Sequence, residues 1–198
     1  MSPSSLLPED ALVIFLSPNA PFRQIPDIPE YRFNDIRPED VVVDIGANIG
    51  AFCIRAARVS RSVTAVEPVT AALLTDNIRA NGVSVQVING ALGDGKPAGI
   101  CWDDHRVFSP TYTFKMLAKL AGGCDFLKCD CEGAEWLINP PELVGVRRIE
   151  MELHQPPIGG RPNPALLDYI SDHYDFAIDR KPVHAALGVM GVLHAVRR

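Results

Sequence analysis

A short buried strand that runs into a glycine turn, residues 41–50, restricts this chain to a small set of folds. The stretch is Val-Val-Val-Asp-Ile-Gly-Ala-Asn-Ile-Gly, and three β-branched residues in succession are typical of a strand covered on both faces. Residues 51–58 follow, with Phe52, Ala56 and Ala57 spaced along one apolar helical stripe. A strand, a tight glycine turn and a helix N-terminus form a unit that brings backbone close to a nucleotide-like ligand, because no Cβ intrudes.

The turn lacks the spacing of a dinucleotide-binding fingerprint. That motif is Gly-x-Gly-x-x-Gly, and counting from Gly46 its second and third glycines are replaced by Asn48 and Ala51. The carboxylate of Asp44, just before the turn, would repel a pyrophosphate and attract an ammonium group. S-adenosylmethionine carries an ammonium group and no phosphate, so the turn favours this cofactor. A strand–helix turn without a ligand is the alternative.

A second carboxylate ends the next predicted strand. Residues 62–67 have a strand pattern, and Pro68 ends it after Glu67. Glu67 follows Asp44 by 23 residues, and an acid roughly 20 residues past a glycine turn reaches ribose hydroxyls in this type of unit. The third predicted strand, 83–88, is followed by Gly90 and Ala91, whose backbone amides we expect to meet an adenine edge.

The remaining pattern alternates between strands and helices and closes with two strands. Helices are predicted at 69–81, 112–121 and 163–173, and further strands at 125–130, 147–153, 174–178 and 191–196. Residues 93–111 are predicted to be mostly loop. This order predicts an α/β fold with a Rossmann-like, doubly wound, seven-stranded and mostly parallel sheet, in which the last strand is antiparallel.

Length and composition indicate one domain over residues 1–198. The chain is 47% hydrophobic and 22% charged, and its net charge of −5 argues against a large nucleic-acid footprint. Five cysteines, an odd number, and no visible secretory leader predict a cytoplasmic location. The apolar run at 11–16 is too short to span a bilayer, so no membrane span is expected.

The proline-rich residues 1–38 are expected to pack over the core. We expect Phe22, Tyr31 and Phe33 to attach this segment to the core rather than to close over a substrate.

Two groups of metal-binding residue types have unsuitable spacing. Residues 103–105, Asp-Asp-His, are adjacent, and adjacent side chains rarely converge on one ion. Cys129 and Cys131 are separated by one residue instead of two, and no second pair matches them. The sequence therefore predicts no metal site.

Further motifs lie between residues 40 and 155. Glu-Pro occurs at 67–68, Phe-Leu-Lys-Cys-Asp-Cys-Glu-Gly-Ala-Glu at 126–135, and Ile-Glu-Met-Glu-Leu-His at 149–154. The second of these resembles the Leu-Lys-x-Asp-x-Glu-Gly-Ala-Glu signature of the FkbM family of S-adenosylmethionine-dependent methyltransferases. The resemblance implies a class I methyltransferase fold and methyl transfer, usually to an oxygen of a small molecule such as a sugar, polyketide or other metabolite.

The resemblance also implies roles for particular residues. Glu67 would bind the ribose, and Asp130, Glu132 and Glu135 would line the acceptor side. The methionine end of the cofactor would be held around the glycine turn, by Asp44, Gly46, Ala47, Asn48 and Gly50.

Three residues are candidates for the catalytic base. Asp130, Glu132 and His154 fall at the predicted carboxyl ends of the fourth and fifth strands, over the cofactor crevice. An acceptor hydroxyl gains from a base at its oxygen, and we expect Asp130 first and His154 second to fill that role.

Three other functions remain open. An RNA methyltransferase similar to the tRNA guanine-N1 enzymes also fits Glu67-Pro68 and residues 77–81. The acidic composition, and the lack of room for an extra RNA-binding domain, instead favour a small-molecule acceptor and make nucleic acid an unexpected partner. A nicotinamide-dependent oxidoreductase is disfavoured by the missing glycines, and a non-catalytic cofactor-binding module is the third alternative.

Overall fold

A computed structural model describes residues 28–102, 105–156, 160–180 and 188–198. In chain order its elements are β1 (Val41–Ile45), α1 (Ala51–Ala56), β2 (Ser62–Val66), α2 (Ala71–Ala80), β3 (Gln86–Ile88), β4 (Ala91–Leu92), β5 (Ala98–Trp102), β6 (His105–Ser109), β7 (Thr111–Tyr112), α3 (Phe114–Ala121), β8 (Phe126–Cys129), β9 (Arg148–His154), α4 (Pro164–His173), β10 (Tyr174–Asp179) and β11 (Val189–Arg197). Two 3₁₀ helices, Ala134–Leu137 and Pro140–Gly145, connect β8 to β9.

Seven strands form the central sheet, in the order β10-β11-β9-β8-β1-β2-β3. The five strands from β9 to β3 are parallel, whereas β11 lies between β9 and β10 and is antiparallel to both. This confirms the predicted doubly wound sheet with an antiparallel last strand. The strand order reverses between β1 and β8, and ligands of such sheets bind where the order reverses, at the carboxyl ends of the strands.

The sheet is covered on both faces, as the run of β-branched residues predicted. Val42 and Val43 are neighbours in β1, both have 0% exposure, and they belong to different hydrophobic clusters. The cluster around Val42 includes Phe52 of α1 and Leu74 of α2, and the cluster around Val43 contains residues of α3 and α4. Alternating side chains of one strand therefore fill two core layers.

Residues 93–111 differ from the prediction, because they form strands instead of loop. β5 and β6 pair as an antiparallel hairpin, and β4 pairs with β7. Three hairpin residues, Gly99, Cys101 and Phe108, are exposed, so the stretch lacks the apolar alternation that marks a half-buried strand. Tyr112 was predicted to begin a helix but belongs to β7. Helix α3 begins after Thr113, whose side chain caps it by accepting a hydrogen bond from the Met116 N–H.

The described part of the N-terminal segment packs on the core as expected. Phe33 stacks on Phe52 with ring centroids 4.7 Å apart, and the buried Tyr31 meets the same ring edge-on at 6.1 Å. Phe22 and the apolar run at 11–16 lie outside the described residues. Within the described ranges, no helix has the length and apolar character needed to cross a membrane.

Candidate active site

A cavity of about 800 Å³ lies at the carboxyl ends of the central strands. Its lining comes from the turn after β1, the end of β2, strand β4, the loop after β8 and the end of β9. The hairpin adds a further wall through Gly99, Ile100 and Cys101. The cavity thus occupies the predicted crevice, and the unpredicted hairpin encloses part of it.

The glycine turn approaches the backbone after β8 very closely. Gly46 has a φ of +74°, and a Cβ at this position would lie 1.6 Å from the carbonyl oxygen of Asp130. Gly46 and Asn48 line the cavity. Ala47 and Gly50 are not among the lining residues: Ala47 donates its N–H to Val66, and Gly50 packs against Ile54 and Leu74. The turn therefore offers two of its four predicted contacts to the cavity.

Asp44 has a different partner from the predicted cofactor ammonium. Its side chain has 0% exposure, and its Oδ1 lies 3.1 Å from Nζ of Lys128, the residue opposite it in the β1–β8 register. Burial raises the pKa of Asp44, and the Lys128 ammonium opposes that shift. Lys128 also donates to the Gly46 carbonyl at 2.8 Å. The Asp44–Lys128 pair therefore supports the glycine turn from the protein interior. Asp44 itself does not line the cavity.

Glu67 connects the glycine turn to the end of β2. One carboxylate oxygen accepts the N–H of Asn48 at 2.9 Å, and the other accepts those of Val69 at 2.7 Å and Thr70 at 3.0 Å. The residue is buried at 6% exposure and lines the cavity. This location is compatible with ribose binding, which stays a prediction.

The residues after β3 do not offer the predicted amides. Gly90 is absent from the cavity lining, and a Cβ there would lie 2.6 Å from the ring of Tyr112. Ala91 lines the cavity, but its N–H donates to the Pro110 carbonyl at 3.1 Å. The unpredicted pairing of β4 with β7 takes up this amide, so Ala91 and Leu92 present mainly apolar surface.

Three carboxylates surround one imidazole at the edge of the cavity. Nε2 of His154 lies 3.8 Å from Asp130 Oδ1, 3.6 Å from Glu132 Oε2 and 3.5 Å from Glu152 Oε2. The structure therefore brings together Asp130, Glu132 and His154, as predicted, and adds Glu152, which the sequence analysis missed. The sequence contained a pattern that places Glu152 beside His154, because residues 152 and 154 lie two apart on β9 and share one face of the strand.

The cluster shifts the pKa values of two of its members. Burial and the nearby Asp130 charge raise the pKa of Glu152 to about 7. Burial alone would lower the pKa of His154, but Glu135, Asp130 and Glu132 outweigh it and raise the pKa to about 9. A histidine with this pKa is protonated at neutral pH, which argues against the expected role of His154 as a base.

Glu135 does not face the acceptor side, contrary to expectation. It has 0% exposure, and its Oε1 accepts the backbone N–H of His154 at 2.6 Å and lies 3.4 Å from His154 Nδ1. Its Oε2 accepts the N–H of Gly133 at 2.9 Å. Glu135 therefore lies behind the imidazole, without a hydrogen bond to Nδ1, because a short 3₁₀ turn after Gly133 directs the side chain inward.

Two further contacts hold Asp130, and the sequence did not predict either. The hydroxyl of Tyr31 donates to Asp130 Oδ2 at 2.9 Å, and Lys128 Nζ lies 3.8 Å from the same oxygen. The ammonium of Lys128 also lies 5.4 Å from the centre of the Tyr31 ring. Tyr31 thus connects the N-terminal segment to the candidate site.

The cavity lining carries an excess of negative charge. Among the described residues, four carboxylates line it, from Glu67, Asp130, Glu132 and Glu152, against one arginine, Arg161. Such a lining attracts a cationic ligand and repels a pyrophosphate.

No protein-family model matches the sequence, and no curated protein matches it. Among solved structures, an rRNA methylase from Streptococcus thermophilus is similar at a TM-score of 0.54 and 10% identity, covering 82% of this chain and 89% of that one. A dimethyladenosine transferase from Plasmodium falciparum is similar at a TM-score of 0.51 and 9% identity, over 82% of this chain. This chain spans 57% of the length of the second protein.

These similarities correct the expected partner. We expected a small-molecule acceptor and no nucleic acid, largely because of the net charge of −5. A protein with a similar fold is an rRNA methylase, and this finding overturns that expectation. At these identities the similarity concerns the fold alone. The chain has the α/β fold of the class I methyltransferases.

Proposed function

We propose that this protein is an S-adenosylmethionine-dependent methyltransferase. The observation that supports this most is the acidic cavity at the point where the strand order reverses, between the glycine turn and Glu67. A cofactor with a sulfonium and an ammonium group suits four carboxylates, whereas a dinucleotide would place two phosphates among them. The fold is shared with proteins that are themselves methyltransferases.

The cavity suggests a position for each part of the cofactor. Gly46 and Asn48 would contact the methionine end and Glu67 the ribose, while Ala91 and Leu92 would pack on the adenine. The Asp44–Lys128 pair would act indirectly, by holding the Gly46 carbonyl. Membership of the FkbM family is part of this proposal, and its support is the motif at 126–135.

The site residues would mainly position the acceptor. When bound, S-adenosylmethionine supplies an activated methyl group. Asp130 and Glu132 line the cavity where an acceptor would approach, and Tyr31 and Lys128 hold the Asp130 carboxylate in place. Alignment of this kind contributes up to roughly 7–11 kcal/mol to a two-substrate reaction.

For the acceptor, we propose an RNA base. Phe108 is 80% exposed and pairs across the hairpin with Gly99, and the exposed Arg106 pairs with Cys101. Gly99 and Cys101 line the cavity, as does Ile100 between them, so the strand that pairs with Phe108 and Arg106 borders the cavity. An exposed aromatic ring beside an arginine is the kind of surface on which unpaired bases stack. The rRNA methylase with the same fold gives independent support.

Transfer of a labelled methyl group tests this function directly. The protein is incubated with methyl-labelled S-adenosylmethionine and with an extract that contains both RNA and low-mass metabolites, prepared from cells of the source organism that lack the gene. We expect label in a fraction that ribonuclease degrades. Label confined to low-mass metabolites would contradict the RNA acceptor, and label in neither fraction would contradict the enzymatic proposal.

Phe108→Ala should weaken the interaction with RNA and leave the cofactor site intact. Loss of one stacking contact of about 1–3 kcal/mol predicts an increase in the KM for RNA of about 5- to 150-fold, with the affinity for S-adenosylmethionine unchanged. Val144→Ala is the control, because Val144 is also an exposed apolar residue, at 66%, and is not part of the cavity lining. An unchanged KM in the Phe108 variant would exclude the stacking role.

A further inference from the structure

We propose that Asp130, Glu152 and His154 bind a divalent transition-metal ion at the edge of the cavity. Each residue offers one ligand atom, and the three atoms lie within 4.8 Å of one another. Asp130 follows β8, whereas Glu152 and His154 belong to β9, the next strand of the sheet. The sequence predicted no metal site at these residues because Asp130 is more than 20 positions from Glu152 and His154 and meets them only through the pairing of β8 with β9.

The spacing of these atoms suits a first-row metal ion. Ligands bound at about 2.0–2.2 Å in tetrahedral geometry lie roughly 3.3–3.6 Å from each other. Nε2 of His154 is 3.5 Å from Glu152 Oε2 and 3.8 Å from Asp130 Oδ1, so small side-chain rotations complete the geometry. Glu132 Oε2, at 3.6 Å from the same nitrogen, is placed to join as a fourth ligand.

The group behind the imidazole is a second, independent feature of a metal site. Histidines that bind metal ions almost always donate the N–H that is not the ligand to a carboxylate, a backbone carbonyl or water, and this bond fixes the orientation of the ring. Here the fully buried Glu135 lies 3.4 Å from His154 Nδ1, on the side opposite the three carboxylates. Glu135 is itself held by the N–H groups of Gly133 and His154, which leaves Nε2 directed at the ligand cluster.

The end of β9 is also held by hydrogen bonds to its backbone. The indole N–H of Trp136 donates to the His154 carbonyl at 2.9 Å, and His154 has 4% exposure. The ammonium of Lys128, 3.8 Å from Asp130, is shared with Asp44 and the Gly46 carbonyl. An ion bound at His154 Nε2 would displace the proton from that nitrogen and take over its charge next to the carboxylates. Ordered ligands with excess negative charge favour occupancy by a cation.

The ligand types indicate which ion would bind. One imidazole nitrogen with carboxylate oxygens suits Zn²⁺ or Mn²⁺, whereas Ca²⁺ prefers oxygen ligands alone. An ion here would adjoin the cavity and act as a Lewis acid on a bound acceptor group. That catalytic role rests on the proposed function, but ion binding itself does not.

Titration of the chelator-treated protein with Zn²⁺ alone, and with Mn²⁺ alone, tests the site. We expect one ion per chain by calorimetry, and a matching loss of the free Mn²⁺ signal by electron paramagnetic resonance. Glu152→Gln and His154→Gln should weaken binding at least about 10-fold, and Glu135→Gln should weaken it through the orientation of the ring, by about 10- to 100-fold. His173→Gln, on α4, is the control and should leave the affinity unchanged.

The outcomes separate this proposal from the proposed function. The metal site would be overturned if the folded wild-type protein bound neither ion. It would also be overturned if Glu152→Gln, which changes one atom type and keeps the side-chain volume, bound the ion with the affinity of the wild type. Circular dichroism verifies that each variant is folded. Binding of S-adenosylmethionine without binding of metal would contradict only the metal site, and the converse would contradict only the proposed function.

Discussion

Gly46→Ala is expected to destabilise the protein by more than about 3 kcal/mol and to abolish ligand binding in the cavity. The added Cβ would lie 1.6 Å from the carbonyl oxygen of Asp130, and the φ of +74° is unfavourable for alanine. Neither backbone can move away easily, because the Gly46 N–H donates to Val66 at 2.9 Å and the Asp130 N–H donates to Ile45 at 2.9 Å. Relief of the clash therefore requires separation of β1 from β8.

Urea denaturation of the variant and of a matched control measures this effect. Gly145→Ala is the control, because a Cβ at Gly145 has no atom within 4 Å and the residue is exposed. We expect the control to change the free energy of unfolding by less than about 0.5 kcal/mol. A Gly46 variant within about 1 kcal/mol of the wild type would show that the turn and the Asp130 backbone are not in contact as described.

Lys128→Met is expected to cost about 3–5 kcal/mol, because it leaves the buried carboxylate of Asp44 without its cation. Lys128 also donates to the Gly46 carbonyl, so the substitution should loosen the glycine turn and weaken cofactor binding. Lys119→Met on α3 is the control, since Lys119 is exposed and its replacement should have little effect on stability.

A double-mutant cycle identifies the cause of the loss. Asp44→Asn combined with Lys128→Met removes both charges, and the asparagine oxygen can still accept the Cys53 N–H that Asp44 accepts at 3.1 Å. We expect the double variant to be more stable than Lys128→Met alone, as measured by urea denaturation. Purely additive losses would show that the two side chains do not interact.

The sequence predicted those features that depend on neighbouring residues. The β1 turn, its glycines and Glu67 lie within 27 residues, and their strand and turn patterns are local, so their placement at the cavity followed from the chain order alone. The helix predicted at 163–173 was found for the same reason, and the side chain of Asn163 caps it by accepting the Ala165 N–H.

Features that depend on strand register were not predicted. Asp44 was assigned to a ligand ammonium because the sequence does not reveal that Lys128 lies opposite it in β8. Glu135 was assigned to the acceptor side because the direction of a 3₁₀ turn cannot be read from its residues. The hairpin was missed because its exposed face carries glycine, cysteine and phenylalanine without the usual alternation.

Calorimetric titration with S-adenosylmethionine and with NAD distinguishes the two classes of cofactor. We expect the wild-type protein to bind S-adenosylmethionine and not NAD, and we expect Glu67→Gln to weaken this binding at least about 10-fold, because hydrogen bonds to the ribose lose their charged acceptor. Asp76→Asn, an exposed residue of α2, is the matched control and should bind normally. Tighter binding of NAD, or an unchanged affinity for S-adenosylmethionine in the Glu67 variant, would contradict the account.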